Sequence, residues 1–203
     1  MYGANPSIDI YGQNVKIVFE AYDETSTYIF LAEFNYTNFT TASITTIDDQ
    51  CQASLYPNMY PVVAATQTEV FVLYKKNNSS GLQYKRKYWN NNTQQWIDVP
   101  VATLSNTDGA SCNPSLASWY TNDAIHIVWQ QGESQIRYYF SYRQGFPRLF
   151  NSYEIVSNGS GNEKNQYPSI SLHSSQQNPI VSWTGSYKNI AEKSVGKEGA
   201  QDI

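Results

Sequence analysis

Charge is what this chain has least of. Only 15% of its 203 residues are charged and the net charge is −4. A nucleic-acid partner calls for a concentrated basic surface, so that class is not expected. The one basic cluster, Lys85-Arg86-Lys87, is split by strand alternation and reads as a solvated strand face. No apolar run approaches the roughly 20 residues of a membrane helix, so no membrane insertion is expected. The N-terminus has neither a basic nor an apolar leader region, which leaves a removed signal open. Cysteine is scarce: Cys51 and Cys112 both fall between repeat copies, and spacing does not decide whether they bond. There is no Cys-x-x-Cys pair, nucleophile elbow, phosphate-binding glycine loop or His-Glu-x-x-His motif, so no cofactor and no metal are expected.

What the chain has instead is a repeat of 54 residues. Pro6, Pro114 and Pro168 stand in one register, with Tyr60 in the second slot. The same step aligns Ile8, Val62, Leu116 and Ile170, and then Phe30, Tyr84 and Tyr138. Within each copy the apolar residues alternate with a period of two, the pattern of strands rather than helices. Turn-forming clusters such as Tyr11-Gly12-Gln13-Asn14 and Asn90-Asn91-Asn92 separate four such strands per copy. Four antiparallel strands in a repeat of about 50 residues make one β-propeller blade. The fold expected is therefore all-β, a β-propeller-like repeat of about three and a half four-stranded antiparallel blades. The copies run 5–58, 59–112, 113–166 and, in part, 167–187. Residues 188–203, with Glu192-Lys193 and Gly196-Lys197-Glu198, read as a polar tail. Three and a half blades leave two apolar blade faces uncovered, which points to further blades or to self-association that completes a ring.

The third copy reads Asn113-Pro114-Ser115-Leu116, then Ile125 to Trp129, then Ile136 to Tyr139. The fourth opens with Tyr167-Pro168-Ser169-Ile170 and continues with Ile180 to Trp183. These motifs resemble the repeats of sialidase-like (BNR-type) β-propellers over about residues 5 to 187. The resemblance implies a propeller of a secreted or surface protein. The family's Asp-box is absent, the nearest stretch being Ser105 to Gly109, and nothing places Arg86, Arg137, Arg143 or Arg148 as a carboxylate-holding set. No catalytic residue carries over.

Residues that break the repeat are the site candidates. Trp89, Trp119 and Tyr120 fall in or beside turns and are candidates for stacking on a sugar or a peptide, against ordinary loop packing. Asp9 and Glu20 lie on the two strands nearest a propeller channel, where a carboxylate pair could serve glycoside hydrolysis or stand as solvated single charges. Trp129 and Trp183 share a register and read as core, and His126 reads as a satisfied core histidine. His173, in a turn without Cys or His nearby, does not suggest a metal site. Asn-x-Ser/Thr sequons, among them those at Asn35, Asn38, Asn78, Asn91 and Asn158, add weak support for an extracellular location. Polar, uncharged, Tyr-rich loops point the same way, and toward a glycan or protein ligand. The reading that follows is a non-enzymatic, lectin-like binding module. A fragment of a sialidase-like glycoside hydrolase and a structural spacer of a larger adhesin are the alternatives.

Overall fold

A computed structural model describes residues 2–23, 26–52, 59–76, 79–119, 123–141, 152–159, 163–172, 178–185, 191–196 and 199–202. It divides into two compact units, Met1–Leu104 and Ser105–Ile203. Every described element is a strand, and the fold is all-β, a β-propeller-like repeat of four-stranded antiparallel sheets. The first unit holds β1 (Tyr2–Tyr11), β2 (Asn14–Tyr22), β3 (Ser26–Asn35) and β4 (Asn38–Gln52) in one sheet. Its second sheet is β5 (Val62–Ala65), β6 (Glu69–Lys75), β7 (Leu82–Asn90) and β8 (Gln95–Thr103). The other unit holds β9 (Ser111–Trp119), β10 (Ala124–Gln131), β11 (Gln135–Ser141) and β12 (Glu154–Asn158). Beside these lies a sheet of β13 (Asn165–Leu172), β14 (Pro179–Gly185), β15 (Ala191–Gly196) and β16 (Gly199–Asp202).

Within each unit the two sheets pack face to face. In the first, Val18, Ile29, Leu31 and Ile47 of one sheet meet Met59, Val63, Val70, Val72 and Tyr74 around the next. In the second, Val128, Ile136, Tyr138 and Val156 meet Ile170, Val181 and Trp183. Burying such side chains contributes on the order of 1.5–3 kcal/mol each.

The sheets also share a backbone irregularity. Asn5, Tyr60, Asn113 and Tyr167 all have φ between 42° and 53°, and each precedes a proline. In the three sheets where this dipeptide lies inside the first strand, the ladder slips there: between Ala4 and Ser7, between Cys112 and Ser115, and between Gln166 and Ser169. Proline has no N–H to give the ladder and is tolerated at such a bulge. The left-handed conformation costs an L-residue about 1–2 kcal/mol, least for Asn, so something must hold it.

These bulges correct the register. Pro61, not Tyr60, is the counterpart of Pro6, so one extra residue precedes Pro61, the interval from there to Pro114 is one residue short of 54, and the step is not gapless. Cross-strand pairing then places Leu31, Tyr84 and Tyr138 in equivalent positions, opposite Val18, Leu73 and Val128. Phe30 sits one residue away, opposite Phe19. Trp129 and Trp183 do share a position and are both buried.

The fourth copy differs as well. Where a polar tail was expected from 188 onward, β15 pairs with β14 and β16 with β15. Strand pairing is a matter of backbone hydrogen bonds, so a polar sequence can supply outer strands that an aromatic pattern would not reveal. The disulfide raised for Cys51 and Cys112 lies outside the described residues, because the Cys51 side chain does.

The faces that the first and the last sheet turn away from their packed partner sheets are unlike each other. On the first sheet, Ile8, Ile17, Ala32 and Ile44 form a row across all four strands, with Ile8 59% and Ile44 67% exposed. Phe39, packed on Phe34 at 5.5 Å, is 68% exposed on the same sheet. On the last sheet, the residues alternating with buried Val181 and Trp183 are Ser182 and Thr184, and Ser169 pairs with Ser182. The first of these faces is apolar and, among the described side chains of β13 and β14, the last is polar, where two apolar faces were expected. Ile8→Lys combined with Ile44→Lys should therefore change stability by no more than about 1 kcal/mol in total, as exposed sites do. The same pair should lower the binding of a hydrophobic dye, read by fluorescence titration beside a chemical melt.

Candidate functional site

The channel candidates Asp9 and Glu20 have another task. Asp9 Oδ2 accepts the backbone N–H of Ala65 at 2.7 Å and Oδ1 that of Ile10 at 2.8 Å. Glu20 is fully buried, and its Oε1 accepts the N–H groups of Met59 (2.9 Å) and Tyr60 (2.6 Å) and the side-chain amide of Asn5 (3.0 Å). It thus holds two left-handed residues at once, Asn5 of its own sheet and Tyr60 of the next. The same device recurs in the other unit. Gln130 Oε1 accepts the Asn113 amide at 2.8 Å and the Tyr167 N–H at 3.4 Å, while its own Nε2 donates to the Gly132 carbonyl at 2.7 Å. By pairing, Glu20 and Gln130 are counterparts, opposite Ala4 and Cys112. Both carboxylates therefore join sheet to sheet, and neither stands as a solvated single charge.

Burial raises the Glu20 pKa above its ordinary 4.5, outweighing the hydrogen bonds from Asn5, Tyr60 and Met59 that act downward. The folded chain therefore holds this proton to higher pH than the unfolded chain does. Its contribution to stability is present below the ordinary value and is lost as pH rises through the folded-state pKa. Glu20→Gln keeps the acceptor oxygen and should remove that loss. Glu20→Ala strands two buried N–H groups and should cost about 2–4 kcal/mol. Urea unfolding at several pH values, comparing the two variants with the parent, checks both.

The loop aromatics do not gather into one surface among the described residues. Trp119, at the end of β9 opposite Ala124, is 8% exposed and belongs to packing. Tyr120 lies outside the described residues, as does His173. Trp89 is half-buried on β7 and meets the edge of Trp96, its cross-strand partner, at 6.0 Å and 69°. His126 is buried as expected, with Nδ1 2.8 Å from the Tyr138 hydroxyl.

The concentration of chemistry lies elsewhere, in a cleft of about 230 Å³ between the two sheets of the first unit. Trp96, Lys16, Glu33, Lys87, Tyr11 and Gln67 are among its walls. Lys16 stands directly opposite Glu33 across β2 and β3, its Nζ 2.7 Å from Oε1. From β7 of the next sheet, Lys87 places its Nζ 2.8 Å from Oε2 of the same carboxylate. The Lys87 ammonium also lies 5.4 Å from the centre of the Trp96 ring, a cation–π distance, and Trp96 itself is 42% exposed. A narrower hollow of about 50 Å³, also walled by Glu33 and Lys87, reaches Lys85, Arg86 and Asp98. The basic cluster is accordingly no solvated face: Arg86 is buried and pairs with Glu69 at 3.6 Å, and Lys87 pairs with Glu33.

Burial of Glu33 acts to raise its pKa, but the hydrogen bonds and charges of Lys16 and Lys87 outweigh it, and the net shift is downward from 4.5. The carboxylate's contribution to stability is thus present above the ordinary value and is lost as pH falls through the folded-state pKa. Glu33→Gln should lower the melting temperature at pH 7, and the gap to the parent should close in acid below that pKa. Melting curves across that range provide the check.

No protein-family model matches the chain, and a search of curated proteins finds no relative. Solved structures do match. The catalytic domain of a GH62 alpha-L-arabinofuranosidase from Coprinopsis cinerea aligns with 95% of this chain and 63% of its own, at TM-score 0.56 and 14% identity. PaAbf62A, an alpha-L-arabinofuranosidase from Podospora anserina solved with cellotriose, aligns with 98% of this chain and 66% of its own, at TM-score 0.55 and 11% identity. AofleA from Arthrobotrys oligospora aligns with 98% of this chain and 56% of its own, at TM-score 0.62 and 13% identity. The chain thus spans less than two thirds of the length of each of these structures. At these identities the likeness is one of fold: a propeller fold related to that of the sialidase-like repeat which the sequence resembles.

Proposed function

We propose that this chain is a glycan-binding segment of a β-propeller, and that the ligand docks in the cleft of Trp96, Lys16, Glu33 and Lys87. The observation that carries this reading is the half-exposed Trp96 indole beside an ion triad that needs no ligand to hold its shape. Aromatic faces stack on sugar rings, and ammonium and carboxylate groups fixed by one another offer hydroxyls both donors and acceptors without reorganisation. A sugar suits such a cleft better than a protein does, since a protein partner would ask for a broader surface. An extracellular or cell-surface location agrees with a ligand of this kind.

A second reading has support of its own. Two of the similar structures are named arabinofuranosidases, which favours a piece of a glycoside hydrolase over a module that only binds. In that reading the catalytic carboxylates are not Asp9 and Glu20, both of which are committed to backbone N–H groups. A spacer without a ligand is the third reading.

A glycan array and a panel of chromogenic glycosides separate the three. Binding without turnover supports the first, turnover supports the second, and silence in both assays supports the third. For the first, Trp96→Ala should weaken binding by about tenfold or more. It should leave the melting temperature nearly unchanged, as loss of a part-exposed ring does.

A further inference from the structure

We infer that the cleft selects a sugar bearing a carboxylate, such as a uronic acid, over its neutral counterpart. The inference rests on the proposed glycan site and concerns its charge. Two ammonium groups, Lys16 and Lys87, converge on one carboxylate, Glu33. Glu33 is held ionised by them, so the triad carries one net positive charge within a chain whose net charge is −4. Tyr11 is the other titratable group on the cleft wall. Asp98, opposite Lys87 across β7 and β8, lines only the narrower hollow, and Asp9, opposite Lys16 across β1 and β2, is turned to the N–H groups of Ala65 and Ile10.

The geometry leaves donors to spare. An ammonium has three N–H groups, and each lysine gives one to Glu33. The side chains of Lys16 and Lys87 are 15% and 27% exposed, so they are desolvated enough for a charge to count and open enough to be reached. Lys87 stands over the indole on which a ring would stack, so a carboxylate at the edge of that ring falls within its reach. A neutral sugar gains the stacking but leaves the surplus charge unanswered. A ring carrying a carboxylate gains both, and a single such pair is worth about tenfold in affinity.

The test uses the full chain and matched pairs of ligands: trigalacturonic acid and its methyl ester, and glucuronic acid oligomers and theirs, titrated calorimetrically at low and high salt. The acid should bind about tenfold or more tighter than the ester in at least one pair, and the margin should shrink in salt. Lys87→Gln should erase the margin. Glu33→Gln, which raises the triad to two positive charges, should widen it, whereas a merely structural ion pair would make binding of acid and ester fall together. Equal binding of acid and ester in both pairs overturns the inference and leaves the glycan site standing. No binding to either pair, with binding to neutral glycans on the array, also overturns it. Silence on the whole array overturns the site and the inference together.

Discussion

The structure hangs on a hydrogen-bonded clamp between the two sheets of each unit. A proline in the first strand removes a ladder donor, and the residue before it turns left-handed and throws the ladder out of step. That conformation is costly for Asn and more so for Tyr. It is held because the preceding sheet extends a second-strand carboxylate or carboxamide to the displaced N–H: Glu20 to Tyr60, and Gln130 to Tyr167. The same oxygen holds the Asn of its own bulge, Asn5 or Asn113, so each clamp ties two consecutive irregularities together. Serines add to the tie, Ser7 receiving the Val63 N–H at 3.4 Å and Ser115 that of Ile170 at 3.3 Å. Apolar packing draws the sheets together without direction, and these bonds set their register.

The cleft of the first unit follows from that register. Once Glu20 and Asp9 have aligned the second sheet on the first, the outward end of β7 brings Lys87 opposite Glu33. The third partner, Lys16, is already opposite by simple strand pairing. A carboxylate shared by two lysines is mostly buried yet fully answered, which avoids the penalty of an unpaired charge. The indole of Trp96 leans on this arrangement through Lys87 and on Trp89 through an edge contact. Charge, stacking surface and space are thus brought together by elements distant in sequence.

The two units show how far one plan tolerates different chemistry. Glu20 and Gln130 do the same work with and without a charge, and the charged version bears a desolvation cost visible in its raised pKa. His126 occupies an inward position opposite Ala117, where its partner is the Tyr138 hydroxyl. In the counterpart position of the first sheet, opposite Asp9, stands Lys16, the cleft lysine. One position in the repeat is core in one copy and cleft wall in another, so a column of the repeat does not reveal which residues are covered.

Strand class, four-stranded units and the burial of Trp129 and Trp183 could be read from the chain alone, because alternation and turn residues are local properties. A repeat step of 54 was close enough to find the blades but could not see the extra residue before Pro61, since an insertion at a bulge leaves the apolar alternation intact. The polar outer strands β15 and β16 were hidden for a related reason: backbone pairing leaves no mark in side-chain hydrophobicity. The site was only half visible. By the step of 54, Glu33 and Lys87 fall in one column with opposite charges, a signal that the reading of Lys85-Arg86-Lys87 as a solvated strand face passed over. The sequence equally suggested Asp9 and Glu20 as channel carboxylates and Trp119 as an exposed ring. Their true places depend on which backbone N–H and which sheet face lie against them, and those are set by the packing of one sheet on the next. Local pattern decided what kind of element each segment forms, and the tertiary contacts decided which charges are answered, which rings are covered and where a ligand could enter.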